Sequence, residues 1–337
     1  MIMNANALHL PIADKSVQCV VTSPPYYGLR DYGISGQLGL ESTPGEYVNN
    51  LILVFREVWR VLKDDGVLFL NLGDSYSTSG SGRGDIGRKI TDKVTTTKAM
   101  GKRIYRSAIS IGLKSKDLIG IPWMVAFALR ADGWYLRQDI IWSKPNPMPE
   151  SVTDRCTKSH EYIFLLTKSA RYYCDMEAIK EPGVWSVETR KANANENQKS
   201  FPDSKRNGIR QRKPAGWDTR QGAHGAFHRE GRAEDIEYTT TTALTRNKRS
   251  VWSIATQPMP MAHFATYPEK LVEPCILAGS RPGDLVLDPF AGSGTTLRVA
   301  IRHGRKAIGC ELNFKYISEI APIRMVVQPL LQEINNA

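Results

Sequence analysis

The sequence predicts an α/β fold in which a mainly parallel, twisted sheet is covered by helices on both faces. Three observations favour this class. Short apolar segments of strand length alternate with longer segments whose apolar residues follow helical spacing. A glycine-rich turn follows one predicted strand, as in sheets that bind ligands at their carboxyl edge. With 337 residues, 41% of them hydrophobic, the chain is long enough to bury the core of such a fold.

The first half of the chain supplies four predicted strands and two predicted helices. Residues 46–63 carry apolar side chains at helical spacing, and Gly66 ends that unit. Pro122 stands in the first turn of the second helix, where its missing amide is tolerated. The predicted strands span residues 17–22, 67–72, 135–142 and 162–167, and the second helix spans residues 122–130.

The last quarter of the chain repeats the alternation. The predicted elements are a helix over residues 268–277, a strand over 285–288, a helix from near Gly294, a strand over 306–311 and a final helix from Phe314. Strands that are joined through helices run parallel, so this order predicts a parallel sheet with helices on both faces.

Two segments carry the excess positive charge. The formal net charge is +11, but residues 75–116 hold ten Lys or Arg against two acidic residues, and residues 183–250 hold fourteen against eight. Both segments are polar and poor in large apolar residues, which indicates loops or inserts and not core. Cationic segments neutralise phosphates, so this distribution favours a nucleic acid partner over an evenly charged surface. We predict a body formed by residues 1–182 and 251–337, divided by a basic insert at 183–250.

The composition disfavours several classes of protein. The longest apolar runs are far too short to cross a bilayer, and the first residues lack the basic and apolar regions of a secretion signal, so we expect a cytoplasmic protein. The five cysteines are scattered singly, with no Cys or His cluster. We therefore expect neither a disulfide framework nor a metal site.

The stretch LVLDPFAGSGTT, residues 285–296, is the sharpest ligand signal. A buried strand ends in Asp288, a glycine-rich turn follows and a helix opens, which presents backbone amides and a positive helix end to a ligand. The turn lacks the lysine of a Walker loop and the spacing of a dinucleotide loop. The next strand ends at Glu311, whose carboxylate can accept hydrogen bonds from ribose hydroxyls. These features together predict a ligand that contains adenosine.

A second motif, TSPPY at residues 22–26, ends the first predicted strand. Taken with DPFAGSGTT at 288–296, it resembles the motif pair of the S-adenosylmethionine-dependent DNA amino-methyltransferases. In most of that superfamily the cofactor motif comes first, and the reversed order here resembles the β group. The resemblance covers nearly all of the chain apart from the two basic segments. It implies a Rossmann-like methyltransferase fold with a circularly permuted motif order.

The resemblance implies which residues hold the cofactor, S-adenosylmethionine. AHFATYPEKLVEP, residues 262–274, looks like the family's helix that leads into the cofactor loop and helps to hold methionine. His263 is equally consistent with a structural histidine. Residues 251–337 are then the cofactor-binding half of the domain, and residues 1–182 are the catalytic half. The implied cofactor residues are Asp288, Phe290, Gly292, Gly294, Thr295 and Glu311, with His263, Phe264 and Thr266 on the methionine side.

The resemblance also explains the residue types of TSPPY. The exocyclic amine of a nucleobase is a poor nucleophile and is stacked and paired in a duplex, so the family flips the base into a pocket. Tyr26 is the candidate for stacking on the flipped base. Pro24 and Pro25 fix the turn and remove two competing amides, so that carbonyls can accept the amine hydrogens, and Ser23 adds a side-chain acceptor. Catalysis is then mainly positioning and electrostatics, with no covalent enzyme intermediate.

Ser23 bears on the choice of base. Serine at this position is typical of relatives that act on the cytosine amine, and an acid is typical of adenine enzymes. We therefore predict N4-methylcytosine as the product and keep N6-methyladenine as the alternative. Methylation at carbon 5 needs a cysteine nucleophile, and no cysteine lies in the TSPPY turn. The more remote alternatives are a methyltransferase that acts on RNA or on a protein amide, and a non-catalytic DNA-binding module.

Double-stranded DNA is the predicted partner. The candidates for phosphate contacts are Lys144, Arg155 and Lys158. The insert at 183–250 is the candidate for target recognition, since arginine reads guanine in the major groove, and the loop at 75–116 is expected to close over DNA. Asp74 is either a helper near the site or a solvated acid. The sequence leaves open whether the chain forms a homodimer and whether a cognate restriction endonuclease accompanies it.

Overall fold

The computed structural model describes residues 1–77, 112–183, 245–257 and 267–320. Most of the basic segments predicted at 75–116 and 183–250 lies outside these residues. The chain divides into two compact units: Met1–Ile179 with Arg249–Ala337, and Lys180–Lys248.

Ten strands are described. They are β1 (Ile2–Asn4), β2 (Val17–Thr22), β3 (Leu62–Leu72), β4 (Tyr135–Ser143), β5 (His160–Thr167), β6 (Glu181–Pro182), β7 (Thr245–Arg246), β8 (Val251–Ser253), β9 (Leu285–Asp288) and β10 (Lys306–Glu311). In the second unit β6 and β7 form an antiparallel pair, with Glu181 and Arg246 in a salt bridge at 2.9 Å.

The other eight strands form one sheet in the first unit, in the order β1-β10-β9-β2-β3-β5-β4-β8. Neighbours are parallel except where β5 pairs with β3 and with β4. The sheet is therefore mainly parallel, as predicted. Because β5 runs the opposite way, its first residues lie at the edge where the other strands end.

The described residues include four α-helices. They are α1 (Pro44–Val61), α2 (Ile121–Ala131), α3 (Glu269–Gly279) and α4 (Thr295–Arg302), with short turns of other helical types at Glu177–Ile179 and Tyr316–Ile320. At the start of α1, the Thr43 hydroxyl accepts a hydrogen bond from the Glu46 amide, and the Glu46 carboxylate accepts one from the Thr43 amide. This reciprocal capping explains why the helix begins at this point.

Both faces of the sheet are covered. Along β3, Leu68, Leu70 and Leu72 belong to the hydrophobic cluster that contains α1 and α2 side chains, whereas Val67 and Phe69 belong to the cluster with α3 and α4. This alternation follows from the two-residue period of a strand. It confirms the predicted α/β class with helices on both faces.

The bounds of some elements differ from the predicted ones. The strands expected at 17–22, 285–288 and 306–311 are observed as such. β3 begins at Leu62 and not at residue 67, because Leu62 already has extended backbone angles, φ −72° and ψ 138°, where the helical pattern ends. No described helix has the length and apolar character of a membrane span. The cytoplasmic location stays a prediction.

Candidate active site

The two sequence motifs meet at the carboxyl edge of the sheet. β2 and β9 are neighbours, with Val20 opposite Leu287, so that their last residues lie side by side. The Thr22 hydroxyl donates a hydrogen bond to the Asp288 carboxylate at 2.7 Å, although the two residues are 266 positions apart. The TSPPY turn is therefore adjacent to the glycine-rich turn, residues 289–294.

Asp288 is a buried carboxylate that accepts hydrogen bonds from several elements at this edge of the sheet. Besides Thr22, its donors are the Tyr267 hydroxyl at 2.9 Å, the Thr296 hydroxyl at 2.7 Å and the Phe290 amide at 3.1 Å. Burial raises the pKa of Asp288, and these hydrogen bonds oppose that shift. A carboxylate has about four acceptor sites, and here four donors occupy them. This occupancy favours a framing role for Asp288 over a direct contact with a ligand.

Sequence reasoning assigned no role to the three hydroxyl groups around Asp288. Thr22 is the first residue of TSPPY, Thr296 is the last residue of DPFAGSGTT, and Tyr267 lies in the stretch at 262–274. The sequence could have indicated this role, because a buried carboxylate at a strand end needs hydrogen-bond donors and hydroxyl residues stand in both motifs.

The glycine-rich turn is held in shape by hydrogen bonds within the protein. Gly292 and Gly294 have φ values of +50° and +79°, a region that favours glycine. A Cβ added at Gly309 of β10 would lie 2.6 Å from the Ala291 Cβ, so that strand and turn pack closely. Four amides of the turn donate to acceptors within the protein, those of Phe290, Ala291, Gly292 and Gly294. The expectation of amides presented to a ligand is wrong for these four, because the turn uses them to hold its own shape.

Glu311 ends β10 beside this turn. Its carboxylate accepts hydrogen bonds from the Gly292 amide at 2.9 Å and the Asn313 amide at 2.8 Å. Burial raises the pKa of Glu311, while these two amides and that of Leu312 lower it. A carboxylate has about four acceptor sites, so these amides do not fill them all. Phe290 is half-buried against the core, and Thr295 opens α4. This donor and acceptor set fits an adenosine ligand.

The two prolines of TSPPY differ in the use of their carbonyl groups. The Tyr47 hydroxyl, from α1, donates a hydrogen bond to the Pro25 carbonyl at 2.8 Å. Among the residues that the structure describes, the Pro24 carbonyl has no donor. The Pro24 carbonyl therefore keeps both of its acceptor sites, whereas that of Pro25 has one filled.

Three polar partners surround the Tyr26 hydroxyl. It donates to the Glu161 carboxylate at 2.7 Å, and it accepts from the Asn71 side-chain amide at 2.6 Å and from the Ser23 hydroxyl at 3.3 Å. Burial and then the Glu161 charge raise the pKa of Tyr26 well above its usual value, so the phenol stays protonated. The ring packs on Gly73, where an added Cβ would lie 2.5 Å from Tyr26 Cε2.

Glu161 was not singled out in the sequence, because it lies within a strand and outside both motifs. The reversed direction of β5 brings it to the carboxyl edge of β2 and β3. Asn71 donates a second hydrogen bond to Glu161, at 2.8 Å. Lys144, at the end of β4, forms a salt bridge with the other carboxylate oxygen, and the two side chains are 19% and 15% exposed. Lys144, a predicted phosphate ligand, is thus engaged inside the candidate site.

The other two predicted phosphate ligands also have partners within the protein. The Lys158 ammonium donates to the Asp74 carbonyl, and burial lowers the pKa of Lys158. Arg155 pairs with Glu150 at 2.7 Å and lies over the Tyr76 ring, 3.9 Å from its centroid. Contacts of these cations with DNA stay predictions.

Asp74 anchors a helix. Its carboxylate accepts hydrogen bonds from the amides of Gly120 at 3.0 Å and Ile121 at 3.1 Å, at the start of α2, and from the Ser75 amide at 2.9 Å. A carboxylate at a helix N-terminus is stabilising because it meets unpaired amides and the positive end of the helix dipole. The sequence did not indicate this role.

Three predicted cofactor residues, His263, Phe264 and Thr266, lie outside the described residues. Within residues 1–77, 112–183, 245–257 and 267–320, no group of three His, Cys, Asp or Glu side chains could hold a metal ion.

Comparisons with known proteins identify the family. The family model described as DNA methylase matches residues 17–322. The type II methyltransferase M.Cfr9I of Citrobacter freundii is 44% identical over 302 residues, which cover 90% of this chain and 79% of that protein.

Solved structures share the fold. The PvuII DNA methyltransferase, cytosine-N4-specific, aligns with a TM-score of 0.59 and 17% identity over 99% of this chain and 88% of that chain. A putative DNA modification methylase from Thermus thermophilus, solved in complex with S-adenosyl-L-methionine, aligns with a TM-score of 0.52 and 22% identity over 96% and 92% of the two chains. These likenesses confirm the predicted Rossmann-like methyltransferase fold. With the family match over most of its length and the type II relative, the chain belongs to the DNA methylase family and is an S-adenosylmethionine-dependent DNA methyltransferase.

Proposed function

We propose that this enzyme methylates the N4 amine of a flipped cytosine at a specific site in double-stranded DNA. The observation that carries the proposal is the pair of acceptors at the end of β2: the Pro24 carbonyl, which has no donor in the described part of the chain, and the Ser23 hydroxyl next to it. Ser23 and Pro24 follow Thr22 in the chain, and the hydrogen bond from Thr22 to Asp288 holds this turn beside the glycine-rich turn.

The cofactor-binding half supplies the methyl donor site. When bound, S-adenosylmethionine supplies a methyl group on a sulfonium centre. In this proposal Glu311 accepts hydrogen bonds from the ribose hydroxyls, and Gly292 and Gly294 give the turn its tight shape. Phe290 and Thr295 are further proposed contacts of the cofactor, while Asp288 holds the turn in place through the Phe290 amide. Contacts of His263, Phe264 and Thr266 with the methionine moiety stay part of the proposal.

The catalytic half acts on the amine. Pro24 and Ser23 accept its two hydrogens, which draws the nitrogen toward tetrahedral geometry and frees its lone pair for in-line attack. The Pro25 carbonyl is the less open acceptor, since the Tyr47 hydroxyl occupies one of its two lone pairs. The Tyr26 ring, packed on Gly73 and held through its hydroxyl, is a rigid surface for stacking of the flipped base.

Two findings support cytosine over adenine: serine stands at position 23, and the PvuII enzyme that shares this fold is cytosine-N4-specific. N6-adenine methylation is the second candidate, because a serine hydroxyl accepts a hydrogen bond from either amine. We also propose that the basic insert at 183–250 recognises the target sequence, and that Lys144, Arg155 and Lys158 are secondary candidates for phosphate contacts.

The test is to incubate the protein with unmodified DNA and S-adenosylmethionine, digest the DNA to nucleosides and identify the methylated one by mass spectrometry. We expect N4-methylcytosine from the parent and from Ser16→Ala, which changes a half-buried serine outside the site, and at least about 100-fold less from Ser23→Ala, which loses an acceptor. N6-methyladenine would retain the mechanism and overturn the choice of base. Equal methylation by Ser23→Ala and the parent would overturn the role of the TSPPY turn.

A further inference from the structure

We propose that Glu161 is the terminal proton acceptor of the methyl transfer, reached from the amine through the hydroxyls of Ser23 and Tyr26, and that Lys144 is its counter-charge. The inference rests on the proposed function, because it concerns the proton that the methylated amine must release. Neither Glu161 nor its partner Asn71 belongs to the two sequence motifs.

The proton needs a defined route. An amine nitrogen that gains a methyl group and keeps both hydrogens carries a positive charge, so one N–H bond must break as the N–C bond forms and the S–C bond breaks. In the proposed relay that proton passes to Ser23 Oγ, the Ser23 proton passes to the Tyr26 oxygen, and the Tyr26 proton passes to Glu161 Oε2. The carboxylate becomes a neutral acid, and the positive charge lost from sulfur is balanced by the charge lost from Glu161.

The hydrogen bonds already point in this direction. Ser23 donates to Tyr26, and Tyr26 donates to Glu161 at 2.7 Å. Asn71 fixes this sense, because its side-chain nitrogen can only donate and gives hydrogens to both the Tyr26 oxygen and Glu161. With two donors on its oxygen, Tyr26 has its own hydrogen left for the carboxylate.

The charges also suit an acceptor. Glu161 is 15% exposed and forms an ion pair with Lys144, which also lies over the Trp142 ring, 4.3 Å from its centroid. The carboxylate of this pair is an acceptor of protons and not a donor. A network that merely fastened the turn to β3 and β5 would need hydrogen bonds but no ionised pair. A base that fills the pocket excludes water, which leaves an internal group to take the proton.

The test compares single-turnover methyl transfer by the parent, Tyr26→Phe and Glu161→Gln. Tyr26→Phe keeps the ring for stacking and removes the hydroxyl, and Glu161→Gln keeps the shape and removes the basic group. We expect each variant to transfer methyl groups about 100-fold or more slowly, with unchanged dissociation constants for S-adenosylmethionine and DNA. The double variant should be no slower than either single one, since both changes break the same relay.

A matched control and an isotope measurement separate the relay from a structural role. Glu57→Gln removes a half-buried carboxylate that pairs with Arg60 on α1, away from the site, and should transfer at the parent rate. In deuterium oxide the parent should slow more than Tyr26→Phe does, because the relay moves exchangeable protons. Equal solvent effects in the two proteins would contradict the proposal.

The possible failures are distinguishable. Parent rates for Tyr26→Phe and Glu161→Gln, with Tyr26→Ala inactive, would overturn the relay and leave the proposed function intact. Parent rates for Tyr26→Ala and Ser23→Ala as well would overturn the proposed function itself. Should Glu161→Gln fail to fold with Lys144 unpaired, the double variant Glu161→Gln with Lys144→Met removes the ion pair as a unit, and Tyr26→Phe tests the relay without disturbing it.

Discussion

At the scale of single residues, carboxylates at one sheet edge differ in function because their hydrogen-bond partners differ. Asp288 has four donors within the protein and frames a turn. Asp74 receives the amides at the start of α2 and anchors a helix. Glu311 accepts backbone amides, among them those of Gly292 and Asn313, and is the acceptor proposed for the ribose. The residue type alone therefore does not assign the role of an acid at a strand end.

The raised pKa of Glu311 leads to a prediction about cofactor binding. Hydrogen bonds from ribose hydroxyls favour the ionised carboxylate, and burial shifts its pKa upward. As the pH falls through this raised pKa, the carboxylate takes up a proton and the affinity for S-adenosylmethionine should fall. The decline should therefore begin above the pH range in which an ordinary glutamate titrates. Calorimetric titrations over a pH series measure this.

Two variants accompany this experiment, Glu311→Gln and the control Glu57→Gln. Glu311→Gln should bind more weakly at neutral pH, by about 10- to 100-fold for a charged acceptor, and should lose the acid decline. Glu57 pairs with Arg60 on α1, outside the cofactor-binding half, so its variant should retain the parent profile. A decline of the same size in Glu311→Gln would assign the titration to another group.

At the scale of elements, α1 positions the TSPPY turn. Its Tyr47 hydroxyl holds the Pro25 carbonyl, and the Tyr47 ring lies against Tyr27 with centroids 5.6 Å apart. The helix is in turn held by its N-terminal capping box and by a buried apolar face. A side chain of this helix thus holds the TSPPY turn at the Pro25 carbonyl.

Tyr47→Phe tests this link. The change removes one hydrogen bond and keeps the ring packing, so we expect a loss of about 1 kcal/mol in the free energy of unfolding. Because a displaced turn misdirects its acceptors, we expect methyl transfer to slow by about 10- to 100-fold while cofactor affinity is retained. Urea unfolding and single-turnover kinetics measure the two effects. A slower rate together with weaker cofactor binding would indicate damage beyond the turn.

The elements were predictable from the sequence to the extent that local pattern determines them. Apolar runs bounded by polar residues predicted the strands at 17–22, 285–288 and 306–311 with their observed bounds. The reversed direction of β5 was not predicted, since strand direction depends on pairing and not on periodicity. For the same reason the contact between Asn71 and Glu161 was missed: Asn71 lies near the end of β3 and Glu161 near the start of β5, and the register of the two strands brings them together.

At the scale of the whole molecule, the net charge of +11 is concentrated in two segments. If these segments neutralise roughly four phosphates or more, DNA affinity should fall by about 100-fold or more between about 50 and 200 mM salt. The affinity for S-adenosylmethionine should change little over the same range, since its predicted site is formed by hydrogen bonds and shape. Fluorescence anisotropy with labelled DNA and calorimetry with the cofactor measure the two. A flat salt response for DNA would contradict a role for the basic segments.

The position of β9 beside β2 also determines when an active centre can exist during synthesis. The bond between Thr22 and Asp288 joins residues 266 positions apart, so β2 emerges from the ribosome long before the partner for one of its edges. Until then the nascent chain exposes an unpaired strand edge, which is a template for pairing with other chains. A polypeptide interrupted before residue 285 would carry the TSPPY turn without its cofactor turn and would be prone to aggregate. Catalytic competence and protection of the central sheet are thus acquired in the same late step.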